Sequence, residues 1–203
     1  MVRLATFRKL DLQNMEDAER SLVRAAEQES RRQLRPAIRR QALRSVDAIA
    51  TAWEEIEMGR GGWRHVEEGI LRSYRRARKA SVEQPKANSD ERIHEWRKRV
   101  KELMYQLRLL APIDPHRIKK LTERLEDLDD ALGGDHDLAV LRVHLHGTMR
   151  GDQRRLRLAD IAIAGDREHV LQKARHAGAK FFHEKPGEFT ERLKERWRKW
   201  RKG

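Results

Sequence analysis

Residues 93–108 read IHEWRKRVKELMYQLR, and the spacing of their apolar side chains is the clearest indication of the fold. Its apolar residues recur at steps of three and four, which is the spacing of side chains on one face of an α-helix. Such a face is stable only when it packs against other apolar surface, so the stretch predicts a helix within a bundle. The members of this apolar stripe are Ile93, Trp96, Val100, Leu103, Leu107 and Leu110.

The remaining sequence has the same helical character. Proline and glycine are few, and they fall between long stretches rich in Arg, Leu, Glu and Ala. No segment alternates β-branched residues as a strand would. The sequence therefore predicts an all-α protein made of antiparallel helical bundles with about eight helices. They are expected at about 15–35, 36–58, 63–80, 91–111, 115–132, 135–149, 152–183 and 186–201.

Local signals mark two of the helix boundaries. Asp114 followed by Pro115 predicts the start of the fifth helix, because proline is favoured in the first turn. Gly133 and Gly134 are expected to end that helix, and Asp135 is expected to cap the sixth. The fifth and sixth helices should therefore be separate elements.

The polar segment 81–90 contains Pro85 and is the predicted boundary between two parts of the chain. Residues 1–84 would form the N-terminal helices of a partial first bundle. Residues 85–203 would form a second four-helix bundle, whose first helix is capped by Ser89 or Asp90. Together the two parts are expected to make one compact unit.

Composition limits the partner classes. The 203 residues carry a formal net charge of +13, which attracts anions such as nucleic acid, acidic membrane or phosphate polymers. The alternative is a solvated basic coat without a ligand. There is no cysteine, which excludes disulfides and thiolate metal sites. The chain has no run of apolar residues long enough for a membrane span or a signal peptide, so we expect a soluble, cytoplasmic protein without a cofactor or a membrane partner.

A row of cationic and polar side chains lies beside the apolar stripe of residues 93–108. It extends for about 21 Å along the helix at ~1.5 Å per residue. Such a row suits phosphate oxygens, because arginine donates two parallel hydrogen bonds and lysine adds a point charge. The alternative is a solvated face balanced by Glu95 and Glu102. The row consists of His94, Arg97, Lys98, Lys101, Tyr105 and Arg108.

A second basic helix precedes this one. Its cations share one face over residues 69–79, and no acidic residue falls between Glu68 and Glu83. Uncompensated positive charge destabilises a fold by self-repulsion, so this face favours an anionic partner. The candidate binding residues of this helix are Arg72, Arg75, Arg76 and Lys79.

Two motifs resemble those of the CHAD domain, the conserved histidine α-helical domain. They are HEWRKRVK at 94–101, continuing through Leu107, and LGGDHDLAVL at 132–141. The similarity covers most of residues 60–203. It implies a pair of four-helix bundles around a basic central cavity that binds polyphosphate, and association with polyphosphate granules. By position the family's basic residues correspond to His94, Arg97, Lys98 and Lys101, and those of its preceding helix to Arg75, Arg76 and Lys79.

The sequence also departs from that family. A complete member carries a similar basic histidine helix near its N-terminus, and residues 1–35 show no copy of it. Either the first bundle is incomplete, or a second chain supplies what is missing, as a symmetric homodimer would. The resemblance also implies that Asp135 caps a helix and that Asp137 orients a basic residue of the helix at 93–108.

These observations predict a non-catalytic module that binds a polyanion, with long-chain inorganic polyphosphate as the expected ligand. A nucleic-acid-binding helical protein is the first alternative, although aromatic residues for base stacking make up only 5% of the chain. The second is a metal-dependent phosphohydrolase centred on His136 and Asp137, with Asp129 and Asp130 nearby. The phosphohydrolase hypothesis needs further His and Asp ligands that converge on the metal, and the sequence shows no spacing that predicts them.

Overall fold

The computed structural model describes residues 23–24, 27–28, 31–32, 36–54, 62–83, 89–149 and 151–202. These residues contain no strand, which confirms the all-α prediction. The predicted first helix lies mostly outside them, as do most of the glycine-rich stretch after the second helix and residues 84–88. The helices are α1 (Pro36–Glu54), α2 (Trp63–Glu83), α3 (Asp90–Leu109), α4 (Pro115–Thr148), α5 (Gln153–Phe181) and α6 (Pro186–Trp200), with a 3₁₀ turn at Ala111–Ile113.

Between residues 36 and 202 the described part of the chain holds six α-helices where seven were predicted, because Gly133 and Gly134 do not end a helix. Helix α4 continues through both of them to Thr148. A Cβ atom at Gly133 would lie 3.4 Å from Arg97 Nη2, and one at Gly134 would lie 3.6 Å from Val170. Packing on both sides of α4 therefore overrides the low helix propensity of glycine. The predicted separation into a fifth and a sixth helix was wrong, and Asp135 lies inside α4 instead of capping a helix.

Two predicted helix starts are confirmed. The Ser89 side chain accepts a hydrogen bond from the backbone N–H of Arg92 at 3.3 Å, so Ser89 is the N-cap of α3. The Asp114 side chain accepts one from the backbone N–H of Arg117 at 3.1 Å, and Pro115 occupies the first turn of α4. These caps fix where the two helices begin, and α3 and α4 then pack side by side.

The main hydrophobic core lies between α2, α3, the first half of α4, the end of α5, and α6. The whole apolar stripe predicted within residues 93–110 is buried in it. Tyr74 stacks on Phe189 with ring centroids 4.3 Å apart, and Trp63 packs against Trp197 at 5.9 Å. Helix α2 precedes the predicted boundary at residues 84 and 85, and it shares this core with the helices that follow.

A smaller apolar cluster joins the second half of α4 to the first half of α5. Since α3 begins only at Asp90, this distal hairpin has two helices where the main core has four or five. Its outer residues Val143 and Ile161 are each 71% exposed. The cluster consists of Leu138, Leu141, Leu145, Leu156, Ala159 and Ile163.

Helix α1 is exposed on every side over residues 36–51, including its apolar residues Ile38, Val46 and Ile49. Its apolar face therefore has no partner in the described part of the chain. None of the described helices combines the length and the apolar character that a membrane span requires.

Candidate polyanion-binding site

Two cations of the α3 row are held by one carboxylate of α4. Arg97 donates from Nε to Asp129 Oδ1 at 3.0 Å, and Lys101 Nζ lies 3.5 Å from Asp129 Oδ2. The Asp129 side chain is only 15% exposed, so it is largely fixed between the two helices. Charge-assisted hydrogen bonds of this kind orient both partners. Asp129 therefore sets the direction in which these two cations extend.

Gly133 lies beside the Arg97 guanidinium, where there is room for a Cβ atom but not for a long side chain. The Arg97 guanidinium lies across α4 at this position, with Nη2, Cζ and Nε all within 3.8 Å of where a Cβ atom would be. A side chain longer than that of alanine at residue 133 would push Arg97 away from α4. Gly133 and Asp129 are four residues apart and so share the face of α4 that α3 covers. A small residue at position 133 therefore lets the Arg97 side chain lie against α4.

The sequence-based assignment of the orienting acid was wrong. Asp137, which the family resemblance suggested for this role, forms no hydrogen bond or ion pair within the described part of the chain. Asp135 is instead buried against α5, where Arg167 donates to it from Nε at 2.8 Å and from Nη2 at 3.0 Å. Hydrogen bonding to Asp135 raises the pKa of Arg167, and burial opposes that rise.

The remaining members of the α3 row are exposed. Lys98 lies 3.6 Å from Glu95, and Arg108 donates to Glu126 at 2.6 Å while its guanidinium lies 5.5 Å from the Tyr105 ring centroid. Exposed pairs of this kind contribute little stability, so a stronger anion can displace them. The row is thus accessible, but most of its cations already have an acidic partner.

His94 is exposed at the end of the row nearest the start of α3. Its ring centroid lies 6.3 Å from that of His136 on α4. Within the described ranges, no three His, Asp or Glu side chains converge as a metal site would require. His136, the centre of the phosphohydrolase alternative, thus neighbours the cationic row.

The cations of α2 have fewer partners. Arg72, Arg75 and Arg76 are exposed and form no ion pair or hydrogen bond with any described residue. Lys79 lies 3.6 Å from Glu83, one turn further along the same helix. By helical phase these four side chains lie opposite the buried face of α2. This face carries the least compensated positive charge of the predicted site.

The two rows lie on outward faces of neighbouring helices and do not surround an enclosed cavity in the described structure. A polar seam separates them, in which Glu102 accepts from Ser73 at 3.3 Å and from Arg99 at 2.9 Å. Arg99 also pairs with Glu95. The hydrogen bond that Arg99 donates to Glu102 is the largest cause of the raised pKa of Arg99. Ten candidate residues thus form two open rows, one on α2 and one on α3.

Comparison with known proteins identifies the family. Residues 2–146 match the family model of the CHAD domain. The match begins nearer the N-terminus than residue 60, where the resemblance began in the sequence, and it contains the cations of both rows. No match to this chain is found among curated proteins or among solved structures. Because the match spans more than two thirds of the sequence, this chain belongs to the CHAD domain family.

Proposed function

We propose that the protein is a non-catalytic module that binds long-chain inorganic polyphosphate through the α2 and α3 rows. The main support for this proposal is the outward face of α2, on which Arg72, Arg75 and Arg76 have no acidic partner in the described structure. Unpaired arginines extend the positive potential of a chain whose net charge is +13. The CHAD family membership supports the same conclusion.

The arrangement of the rows favours a flexible polyanion. The α3 row is about 21 Å long, and the α2 row about 10 Å, at ~1.5 Å per residue. A flexible phosphate polymer can bend across the seam at Glu102 and engage both rows. A DNA duplex is stiff over about 150 base pairs, so it would contact one outward face at a time. Polyphosphate should therefore release more counterions per molecule bound than a duplex of equal charge.

Single-stranded nucleic acid is the competing ligand. Proteins that bind it usually stack bases on several aromatic side chains, each worth about 1–3 kcal/mol. In the two rows Tyr105 is the one Phe, Tyr or Trp residue, and the guanidinium of Arg108 lies over its ring. The rows thus offer phosphate contacts with little base stacking, which favours a ligand without bases. In the cell we expect the protein to collect on polyphosphate granules.

The test is a titration with long-chain polyphosphate and with a DNA duplex of equal total charge, at about 150 mM salt, where charges further apart than ~8 Å are screened. The variant Arg72→Ala/Arg75→Ala/Arg76→Ala should lose roughly tenfold or more in polyphosphate affinity. Its plot of log affinity against log salt should become shallower by roughly 2. A matched variant removes three exposed cations elsewhere that have no ion pair with any described residue, and it should lose less than about threefold. It combines Arg154→Ala, Arg157→Ala and Lys173→Ala.

Two results would overturn the proposal. One is equal affinity for the duplex and for polyphosphate, and the other is an equal loss in both triple variants. Either would mean that the positive charge acts as a general coat. Lys98→Ala/Lys101→Ala tests the α3 row separately, and far-UV circular dichroism of every variant tests whether the helices are intact. If this double variant keeps full affinity, the α3 row is not part of the site.

A further inference from the structure

The distal hairpin carries an open groove that the proposed polyphosphate site does not use. Its volume is about 730 Å³, and it lies between the second half of α4 and the first half of α5. Its apolar or small lining residues are the buried Ile163 and Leu171 and the exposed Val143 and Ala164, and charged side chains line the rest of it. At the upper end His146 Nε2 contacts Asp160 at 2.9 Å, which ties α4 to α5. The groove is therefore a defined apolar slot with polar edges.

The groove continues the slot that α3 fills lower in the molecule. Asp90, the first residue of α3, forms ion pairs with Arg167 and Arg142, and both arginines line the groove. Above Asp90 the same two helices, α4 and α5, lie side by side without a third helix in the described structure. The natural occupant of this space is thus another α-helix, which would continue the packing that α3 begins.

Helix α1 has the complementary surface. Ile38, Ala42, Val46 and Ile49 follow steps of four, four and three residues, so they form one apolar stripe. All four are exposed, and most of the charged residues of α1 lie on other faces. An apolar helical stripe and an apolar slot are each unfavourable in water, and both would be buried by one contact.

The length of the connecting chain argues against α1 reaching the groove of its own chain. Trp63, where α2 begins, packs on Trp197, and Arg196 beside it pairs with Asp114 at the start of α4. Val143 lies about 40 Å further along α4 at ~1.5 Å per residue. Residues 55–62 span at most about 29 Å when fully extended. To place its central apolar residues in the groove, α1 would have to stretch this glycine-rich segment almost completely, which is entropically unfavourable.

We propose that the groove binds α1 of a second copy of this chain. Each copy has one groove and one α1, so mutual exchange produces two equal contacts related by a twofold axis and closes as a dimer. In the exchange, the ~40 Å along α4 of one chain no longer sets the length that residues 55–62 must span, because α1 crosses to the neighbouring copy. The interface is separate from the α2 and α3 rows, and it does not depend on the proposed polyphosphate binding.

Cysteine cross-linking tests the contact directly, because the natural chain contains no cysteine. Purified Ile49→Cys protein is mixed with purified Val143→Cys protein and treated with a short bismaleimide. A covalent heterodimer between the two variants is expected. Leu109→Cys replaces Val143→Cys in the control mixture, since Leu109 is equally accessible but lies at the far end of α3. Equal yields in the two mixtures, or no heterodimer in either, would overturn the proposal.

Two further measurements, an intrachain cross-link and the molecular mass in solution, also test the exchange. In the double variant Ile49→Cys/Val143→Cys, a cross-link confined to single chains would show that α1 occupies its own groove, which contradicts exchange. Light scattering should give the mass of a dimer for the natural chain and of a monomer for Ile49→Asp. Arg40→Asp also introduces an aspartate, but on the opposite side of α1, and this variant should remain dimeric. A monomeric natural chain at high micromolar concentration would also refute the exchange.

Discussion

Replacing Arg167 by methionine should destabilise the protein more than loss of any exposed ion pair. Arg167 is 12% exposed and donates two hydrogen bonds to Asp135, whose side chain is 2% exposed. Methionine preserves much of the aliphatic length but supplies no donor. The variant therefore leaves a buried carboxylate without its counter-ion, a change that typically costs about 3–5 kcal/mol.

That loss is large compared with the whole stability of a domain, which is roughly 5–15 kcal/mol. For a chain of this size it corresponds to a fall of roughly 10 °C or more in the thermal midpoint. Urea unfolding followed by far-UV circular dichroism would measure it at pH 7. Arg142→Met is the control, because Arg142 lies 3.9 Å from Asp90 and both side chains are about half exposed. We expect that variant to change the free energy of unfolding by less than about 0.5 kcal/mol.

A double variant separates the cost of the unpaired Asp135 carboxylate from the cost of the packing that Arg167 loses. In Arg167→Met/Asp135→Leu no unpaired carboxylate remains, so at least half of the lost stability should return. Two results would refute this reasoning. One is a loss below about 1 kcal/mol for Arg167→Met, and the other is a double variant that is no more stable than the single one.

Three other perturbations have defined outcomes. Burial, followed by the charge of a nearby glutamate, raises the pKa of Tyr74 from 10.0 to about 12, so the stability it contributes is complete below pH 10 and is lost as the pH rises to 12. Urea unfolding should show that the natural chain loses up to ~3 kcal/mol of unfolding free energy across this pH range and that Tyr74→Phe does not. Parallel plots of unfolding free energy against pH for the two proteins would contradict this. Gly133→Ala should stabilise by up to ~1 kcal/mol, whereas Gly178→Ala should destabilise by about 1–3 kcal/mol, because its Cβ would lie 2.9 Å from Trp96. Thermal melts that shift in the same direction would refute that contrast. Asp129→Asn should weaken polyphosphate binding although it adds one unit of positive charge, and tighter binding in the titration would show that the carboxylate only competes with the ligand.

The sequence was most informative where one residue type determines one local conformation. Ser89 and Asp114 could be assigned as caps because a short oxygen-bearing side chain satisfies backbone N–H groups at a helix start. The apolar stripe of α3 could be predicted because its period requires burial along one face. Neither inference depends on which element lies opposite.

Predictions failed where the conformation depends on a neighbouring helix. Gly133 and Gly134 usually mark the end of a helix, and here α3 and α5 pack against them from different sides. The sequence alone does not distinguish a glycine that makes room for an arginine side chain from a glycine that ends a helix. The outcome depends on Arg97 and Val170, which lie about 36 residues away in either direction along the sequence.

The roles of the α4 aspartates could not be assigned for the same reason. The covered side of α4 turns from α3 toward α5 along its length, so Asp129 meets α3 while Asp135, six residues later, meets α5. This distinction bears on the proposed site. Arg97 and Lys101 are partly neutralised by Asp129, so they contribute a fixed geometry more than free charge. In the proposed site, long-range attraction of a polyanion then comes mainly from the α2 arginines that have no ion pair in the described structure, and the basic motif of α3 acts once the ligand has arrived.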